Sequence, residues 1–340
     1  MIKFWVFLIV LGMIAPQALA SEPVKIGMVT TLSTKAGYLG EEVRDGFKLA
    51  IDQEGGMLGG VPVELLVEDD GRDPGKAKQI SDRFMKRDNV KIMTGIIFSN
   101  VALAVVPKVV RSNVLYISPN AGPSDLAGKG CHENYFNVAY QNDNLDEVVG
   151  KYVNDAGFKN VYLLAPNYPA GKDHLAGFKR YYTGNISGEV YTKLGQSDYA
   201  AEIAALRAAG PDAVFFFLPG GMGINFIKQY AQSGLNKTIP VFGPAFSFDE
   251  RLLGAVGAAA LGVGRKAAGL THQQDASGHV PGLDVAFPVG IEAAGRGHPG
   301  DDGERHHQKR RRPGRRRRGC ACQDGSERLH QYRRAAIEPP

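Results

Sequence analysis

Short apolar runs rich in β-branched residues alternate along this chain with segments whose apolar residues recur at helical spacing, and that alternation limits the fold more than any other feature. VKIGMVT (24–30) precedes a stripe of Val43, Phe47, Ala50 and Ile51 that stops at Gly55-Gly56. VPVELLV (61–67) precedes a helix over 76–87 with Ala77, Ile80 and Phe84 on one face. A strand over 90–96, a helix over 101–110 and a strand over 114–118 complete a β-α-β-α-β-α-β series. Such a series requires a parallel sheet with helices packed on both faces. The pattern pauses between Pro119 and Asn137. It resumes with helices over 143–156, 172–182, 200–209 and 223–234, and strands over 161–165, 189–193, 213–218 and 239–242. Two α/β lobes are therefore expected, over 21–120 and 139–245, with hinge crossings at 121–138 and 246–263, the second a partial return to the first lobe.

In open parallel sheets, ligands bind beyond the carboxyl ends of the strands. That rule singles out the loops 33–40, 97–100, 118–122, 166–171, 219–223 and 243–248, which are rich in Gly, Ser, Asn, Pro and aromatic residues. Such residues are also ordinary turn formers, but their recurrence at six strand ends places a binding site there, in a cleft between the lobes.

The chain's ends differ from its middle. Lys3, the apolar run Phe4–Ile14 and Ala18-Leu19-Ala20 have the form of a cleaved export leader, so the mature chain is expected to start near Ser21. The apolar run falls short of the roughly 20 residues a membrane-spanning helix needs. The net charge of +5 is uneven: 264–340 holds 15 Lys and Arg against 9 Asp and Glu, which leaves −1 for the rest. From about Gly264 the alternation stops, and Lys309–Arg318 is nearly continuous basic charge. Three readings stand: a basic arm for nucleic acid or anionic lipid, a natural unfolded extension, or a shifted reading frame in a GC-rich gene. The third best fits the unpatterned Arg, Gly, Ala, Pro and His, and no nucleic-acid partner is expected. On that reading the fold is incomplete at the C-terminus, with exposed apolar edges. Cys131, Cys320 and Cys322 form no disulfide framework; Cys131 either lacks its partner or is a buried free thiol.

Several motifs carry no chemistry. Glu68-Asp69-Asp70 with Asp73 follows a strand and precedes Pro74, the form of a solvated turn that caps a helix rather than a metal site. Gly220-Gly221-Met222-Gly223 lacks the Lys-Ser/Thr of a phosphate-binding loop. No Ser/His/Asp or Cys/His set stands out, so no catalysis, cofactor or metal is expected.

VKIGMVTTLS, RDGFKLAIDQEGG with VPVELLVEDDGRDP, TGIIFSN, LYISPNAGPSDLAGKGC, YFNVAYQND, LLAPNYPAGKD and IPVFGPAFSFDERLL, spread over Val24–Val263, resemble the type I periplasmic binding proteins, nearest the leucine/isoleucine/valine-binding branch. The resemblance implies two Rossmann-like lobes with parallel central sheets, joined by a hinge and closing on a ligand. It also implies a non-enzymatic monomer in the periplasm that delivers a small organic acid or amino acid to the permease subunits of an ABC importer. It assigns Ser99 and the stretch Asn120, Ala121, Gly122 to the ligand's carboxylate, with Asn100 beside Ser99 at a helix start and Tyr38 or Leu39 near an aromatic contact. The family's tyrosine in the second lobe aligns with Ala170, and Tyr168 stands two residues earlier to replace it. After Phe242-Gly243-Pro244 the amino-acid binders carry an acid that pairs with the ligand's ammonium; here stands Ala245, followed by Phe246 and Phe248. A buried ammonium without a counter-charge costs several kcal/mol. The departure thus favours a non-aminated acid, aromatic or branched, against an apolar wall of Phe98, Tyr168, Phe246 and Phe248, although Asp249 or Glu250 remains within reach of an ammonium. A ligand-sensing receptor on the same fold, and a non-functional truncated product, are the alternatives.

Overall fold

The computed structural model describes residues 22–248 and 250–260; the leader at 1–20, Asp249 and the tail from 264 lie outside the described residues. Two compact units emerge: the first runs to Asn142 and includes Tyr168–Asp173, and the second comprises 143–167 and the chain from His174 on.

In the first unit, β1 (Val24–Thr30), α1 (Tyr38–Gln53), β2 (Met57–Leu58), β3 (Val61–Asp69), α2 (Pro74–Lys86), β4 (Ile92–Thr94), α3 (Ser99–Arg111), β5 (Leu115–Ser118), α4 (Ser124–Ala127) and β6 (Tyr135–Asn137) follow in order. The sheet is ordered β2-β3-β1-β4-β5-β6, parallel except for the β2–β3 hairpin. From β1 the chain steps one way to β3, then back across β1 to β4 and on to β5. Right-handed crossovers therefore put α1 on one face and α2 and α3 on the other. The α2–α3 face is close-packed. Ala77, Ile80 and Phe84 of α2 and Val101, Val105, Val106, Val109 and Val110 of α3 are all buried. Gly27 of β1 lies under Phe84, whose ring would be 2.6 Å from an added Cβ.

In the second unit, α5 (Asn142–Asp155), β7 (Asn160–Pro166), α6 (Pro169–Tyr181), β8 (Asn185–Thr192), α7 (Ala200–Ala209), β9 (Ala213–Phe216), α8 (Gly221–Gln232), β10 (Val241–Phe242) and α9 (Glu250–Val256) build a parallel sheet ordered β10-β9-β7-β8. Asn142 and the first turn of α6 group with the first unit. Leaving out β2 and β6, both sheets have one winding: second strand, first, third, fourth. Apolar strands buried on both faces, such as the four residues of β9, explain the continuous apolar run Ala213–Leu218.

Two boundaries differ from expectation. Residues 121–138, expected as a crossing, supply α4 and the edge strand β6, which pairs with β5. Tyr135–Asn137 is too short and too little buried to show a strand period. The segment after Phe246, expected to cross and return, instead packs Phe248 and Val256 into the second unit's core with Phe216, Phe226 and Tyr230. The acidic run after β3 is a turn and cap as expected: the Asp73 carboxylate accepts from the Lys76 N–H at 2.8 Å and starts α2. Asp70, however, is fully buried rather than solvated. Cys131 is half-buried and disulfide-bonded rather than a buried free thiol. Among the described residues no helix is long and apolar enough to cross a membrane.

Candidate functional site

Because β3, β1, β4 and β5 run parallel, the loops after all four emerge on one edge of the first sheet. The first-unit site residues gather around these loops. α3 starts at Ser99 with Phe98 as its cap residue, and the Phe98 carbonyl accepts from the N–H groups of Val101 and Ala102. The N–H groups of Ser99 and Asn100 precede the helical ladder, where the helix dipole adds positive potential. Ser99 is buried, and its Oγ accepts from Asn142 Nδ2 at 3.1 Å, which leaves the hydroxyl hydrogen able to donate. Asn142 Nδ2 also donates to Asp173 Oδ2 at 3.0 Å, and the Ser124 N–H donates to the same oxygen at 3.0 Å. This Ser99–Asn142–Asp173 chain fixes the hydroxyl's orientation. Asn100 Oδ1 is buried without a hydrogen-bond partner.

The loop after β5 has its own bonding. Asn120 Nδ2 donates to the Ile97 carbonyl at 3.0 Å and the Ala121 N–H to the Ile96 carbonyl at 3.3 Å. Both groups, which the resemblance aims at a carboxylate, here tie the β5 loop to the β4 loop. The Gly122 carbonyl accepts from the Asn142 N–H at 2.8 Å, and a Cβ at Gly122 would lie 1.9 Å from the Tyr140 carbonyl oxygen, so only glycine fits. Tyr38 opens α1 and is half-buried.

Phe98 and Tyr168 have ring centroids 6.2 Å apart and are both buried, so each packs as much against its neighbours as toward any ligand. Ala170 is buried two residues on. Burial pushes the Tyr168 phenol well above its ordinary range, against the opposing pull of the Arg72 charge. Arg72, in the loop after β3, holds its guanidinium carbon 5.6 Å from the Phe98 ring centroid. Arg72, Asn142 and Asp173 escape the sequence reading. The strand-end rule applies to β3 as to its neighbours, but the acidic run masks the arginine within it.

The turn under Arg72 is tightly built. Asp69 accepts from the N–H groups of Leu32, Ser33 and Gly71 at 2.8, 3.2 and 2.9 Å, and from Ser33 Oγ at 2.8 Å. Burial works to raise its pKa, but these donors win and hold the carboxyl well below the ordinary carboxylate range. Asp70 Oδ1 accepts from Thr31 Oγ1 at 2.6 Å and from the Arg72 N–H at 2.7 Å, while burial pushes this carboxyl upward.

The second unit holds its own cluster. The His174 ring stacks on Phe217 at 3.6 Å and hydrogen-bonds through Nδ1 to the buried Asp146. Phe246, 37% exposed, stands edge-on to both rings at 6.2 and 6.0 Å. Phe248, expected on the ligand wall, is a core residue set edge-on to Phe216 at 5.9 Å. Among the described residues no three His, Cys, Asp or Glu side chains are placed to hold a metal.

Residues 23–265 match the family model described as periplasmic binding protein. Leu/Ile/Val-binding protein homolog 6 of Brucella melitensis is 25% identical over 256 residues, which cover 74% of this chain and 65% of that protein. The chain thus spans less than two thirds of the length of the curated relatives it matches first. A solute-binding protein from R. palustris, solved in complex with benzoate, superposes with a TM-score of 0.67 at 28% identity, over 70% of this chain and 66% of that one. One from Rhodopseudomonas palustris BisB5, in complex with 3,4-dihydroxybenzoic acid, gives 0.66 at 29% over 70% and 66%. An ABC transporter substrate-binding protein from Sphaerobacter thermophilus gives 0.64 at 32% over 70% and 67%.

Proposed function

This chain belongs to the periplasmic binding protein family, and from that premise we propose that it is the solute-binding component of an ABC importer, exported through its leader to the periplasm, with a small carboxylate as its solute. The observation that carries the reading is the head of α3. There a buried serine hydroxyl, oriented by Asn142, sits among helix N-terminal N–H groups and beside the Phe98–Tyr168 pair. Oriented donors of this kind replace water around a carboxylate, and the aromatic pair favours an apolar body attached to it.

An aromatic or branched acid without an amine is the preferred solute. Ala245 and Phe246 follow Pro244 where the resembling amino-acid binders carry an acid. Two similar solved proteins hold benzoate and 3,4-dihydroxybenzoic acid. Tyr38, Asn100, Asn120, Ala121, Gly122 and Phe246 complete the proposed contact set, with the Asn120–Gly122 loop acting chiefly to hold Ser99's surroundings in shape. The chain is expected to act as a monomer that hands its solute to permease subunits, with no reaction of its own.

Calorimetric titration of the full chain with benzoate, 4-hydroxybenzoate and leucine tests this reading. Saturable binding of an aromatic acid, tighter than leucine, is expected. Tighter binding of leucine would reverse the choice of solute, and no binding of any of the three would remove the carboxylate reading.

A further inference from the structure

We propose that Arg72 is the charge-reading residue of this site: its guanidinium, seated by Phe98 and Tyr168, pairs with the carboxylate of an aromatic acid and excludes neutral analogues. The inference rests on the solute-binding reading above and deepens it from neutral donors to a specific cation.

Arg72 has acids on every side in sequence yet forms no ion pair among the described residues. Asp69 is held by Leu32, Ser33 and Gly71, and its nearest cation is Lys76 at 3.5 Å. Asp73 is the cap of α2. Asp70 takes only the backbone N–H of Arg72, and its second carboxylate oxygen is buried without a partner. An arginine two residues from an unpartnered carboxylate oxygen would ordinarily turn toward it. Here the guanidinium lies instead 5.6 Å from the Phe98 centroid, at the edge of the sheet where the loops after β1, β4 and β5 emerge.

The backbone supports the same conclusion. Arg72 has φ +64, in the left-handed region that glycine adopts freely and a residue with a long side chain enters only under strain. The turn holds it there with two bonds, from the Arg72 N–H to Asp70 and from the Gly71 N–H to Asp69. A half-buried arginine held in that conformation, by the Phe98 ring that packs against Tyr168 and with no ion pair among the described residues, matches a planar anion with an apolar body. The guanidinium fork suits both carboxylate oxygens at once, and the rings suit the body.

The test is titration of the full chain and its R72Q and R72K variants with benzoate and with benzamide, its uncharged isostere. Thermal melts without ligand check that each variant folds. The unaltered chain is expected to prefer benzoate over benzamide by about tenfold or more. R72Q is expected to lose most of that preference through weaker benzoate binding alone, and R72K to retain part of it. Equal benzoate affinity in R72Q and the unaltered chain overturns the inference while leaving the solute-binding reading intact. An equal loss of benzoate and benzamide also overturns it, because that outcome marks lost packing rather than lost charge. If the unaltered chain binds neither compound, the solute-binding reading fails and the inference with it.

Discussion

The two faces of the first sheet are built from the same kinds of residue and end up in different states. On the α2–α3 face, Phe84 is packed onto the backbone of β1 and the valines of α3 are buried. On the α1 face, the stripe Val43, Phe47 and Ile51 is only half-buried, Ala50 and Leu49 are exposed, and Gly40 is the one buried residue of the helix. Val63, Leu65 and Val67 of β3, which share that face with Ile26 and Met28 of β1, are likewise half-buried. β7 in the second unit, also a central parallel strand, is buried along nearly its whole length. A helix at amphipathic spacing is written to be covered, and one helix cannot cover a sheet face. The apolar pattern of α1 and β3 therefore exceeds the burial that the described residues provide, whereas the site-bearing edge and the opposite face lack nothing comparable.

The contrast makes the two faces unequal under mutation. Phe84→Ala is expected to cost about 3–5 kcal/mol, because it opens a cavity in a closed face; a melting loss no larger than that of Phe47→Ala would break the comparison. Asp69→Asn is expected to cost roughly 1–2 kcal/mol near neutrality by weakening the three bonds that tie β3 to the loop after β1 and the one that closes its own turn at Gly71. The folded pKa of Asp69 is depressed, so its contribution is present above the unfolded value near about 4 and is lost as pH falls through the folded value. The melting difference between the unaltered chain and D69N should accordingly shrink on acidification; a difference that grows would contradict the assignment. The smallest effect belongs to Phe47→Lys on the α1 face, within about 0.5 kcal/mol in stability. Binding of a hydrophobic dye should fall in the same variant, since it charges the half-buried stripe.

Much of this was legible in the sequence. Strand Val24–Thr30 and helix Ala200–Ala209 fall where their periodicity predicts. The alternation of strands and helices was legible because local pattern and global fold agree there, but the strand order was not, since right-handed crossovers permit several parallel orders. β6 was illegible because three edge residues, two of them exposed, carry no period, and the return after Phe246 was illegible because it depends on which core accepts Phe248 and Val256. Ser99 and Gly122 were readable from strand ends and resemblance. Arg72 was not, since a basic residue in an acidic turn reads as a solvated ion pair until the structure shows each acid engaged elsewhere. Asn142 was hidden for a related reason: its role is a pair of bonds to Ser99 and Asp173, residues 43 and 31 positions away.

Hydrogen exchange of the full chain with and without saturating benzoate tests the central claim directly, since it reads the site edge and the α1 face in one experiment. Benzoate is expected to slow exchange at 97–102, 120–122 and 168–173 and in the turn around Arg72, and to leave the amides of α1 beyond its first turn unchanged. No change at the head of α3, or a change confined to α1, would contradict the claim that the carboxylate site lies on the closed edge of the first sheet.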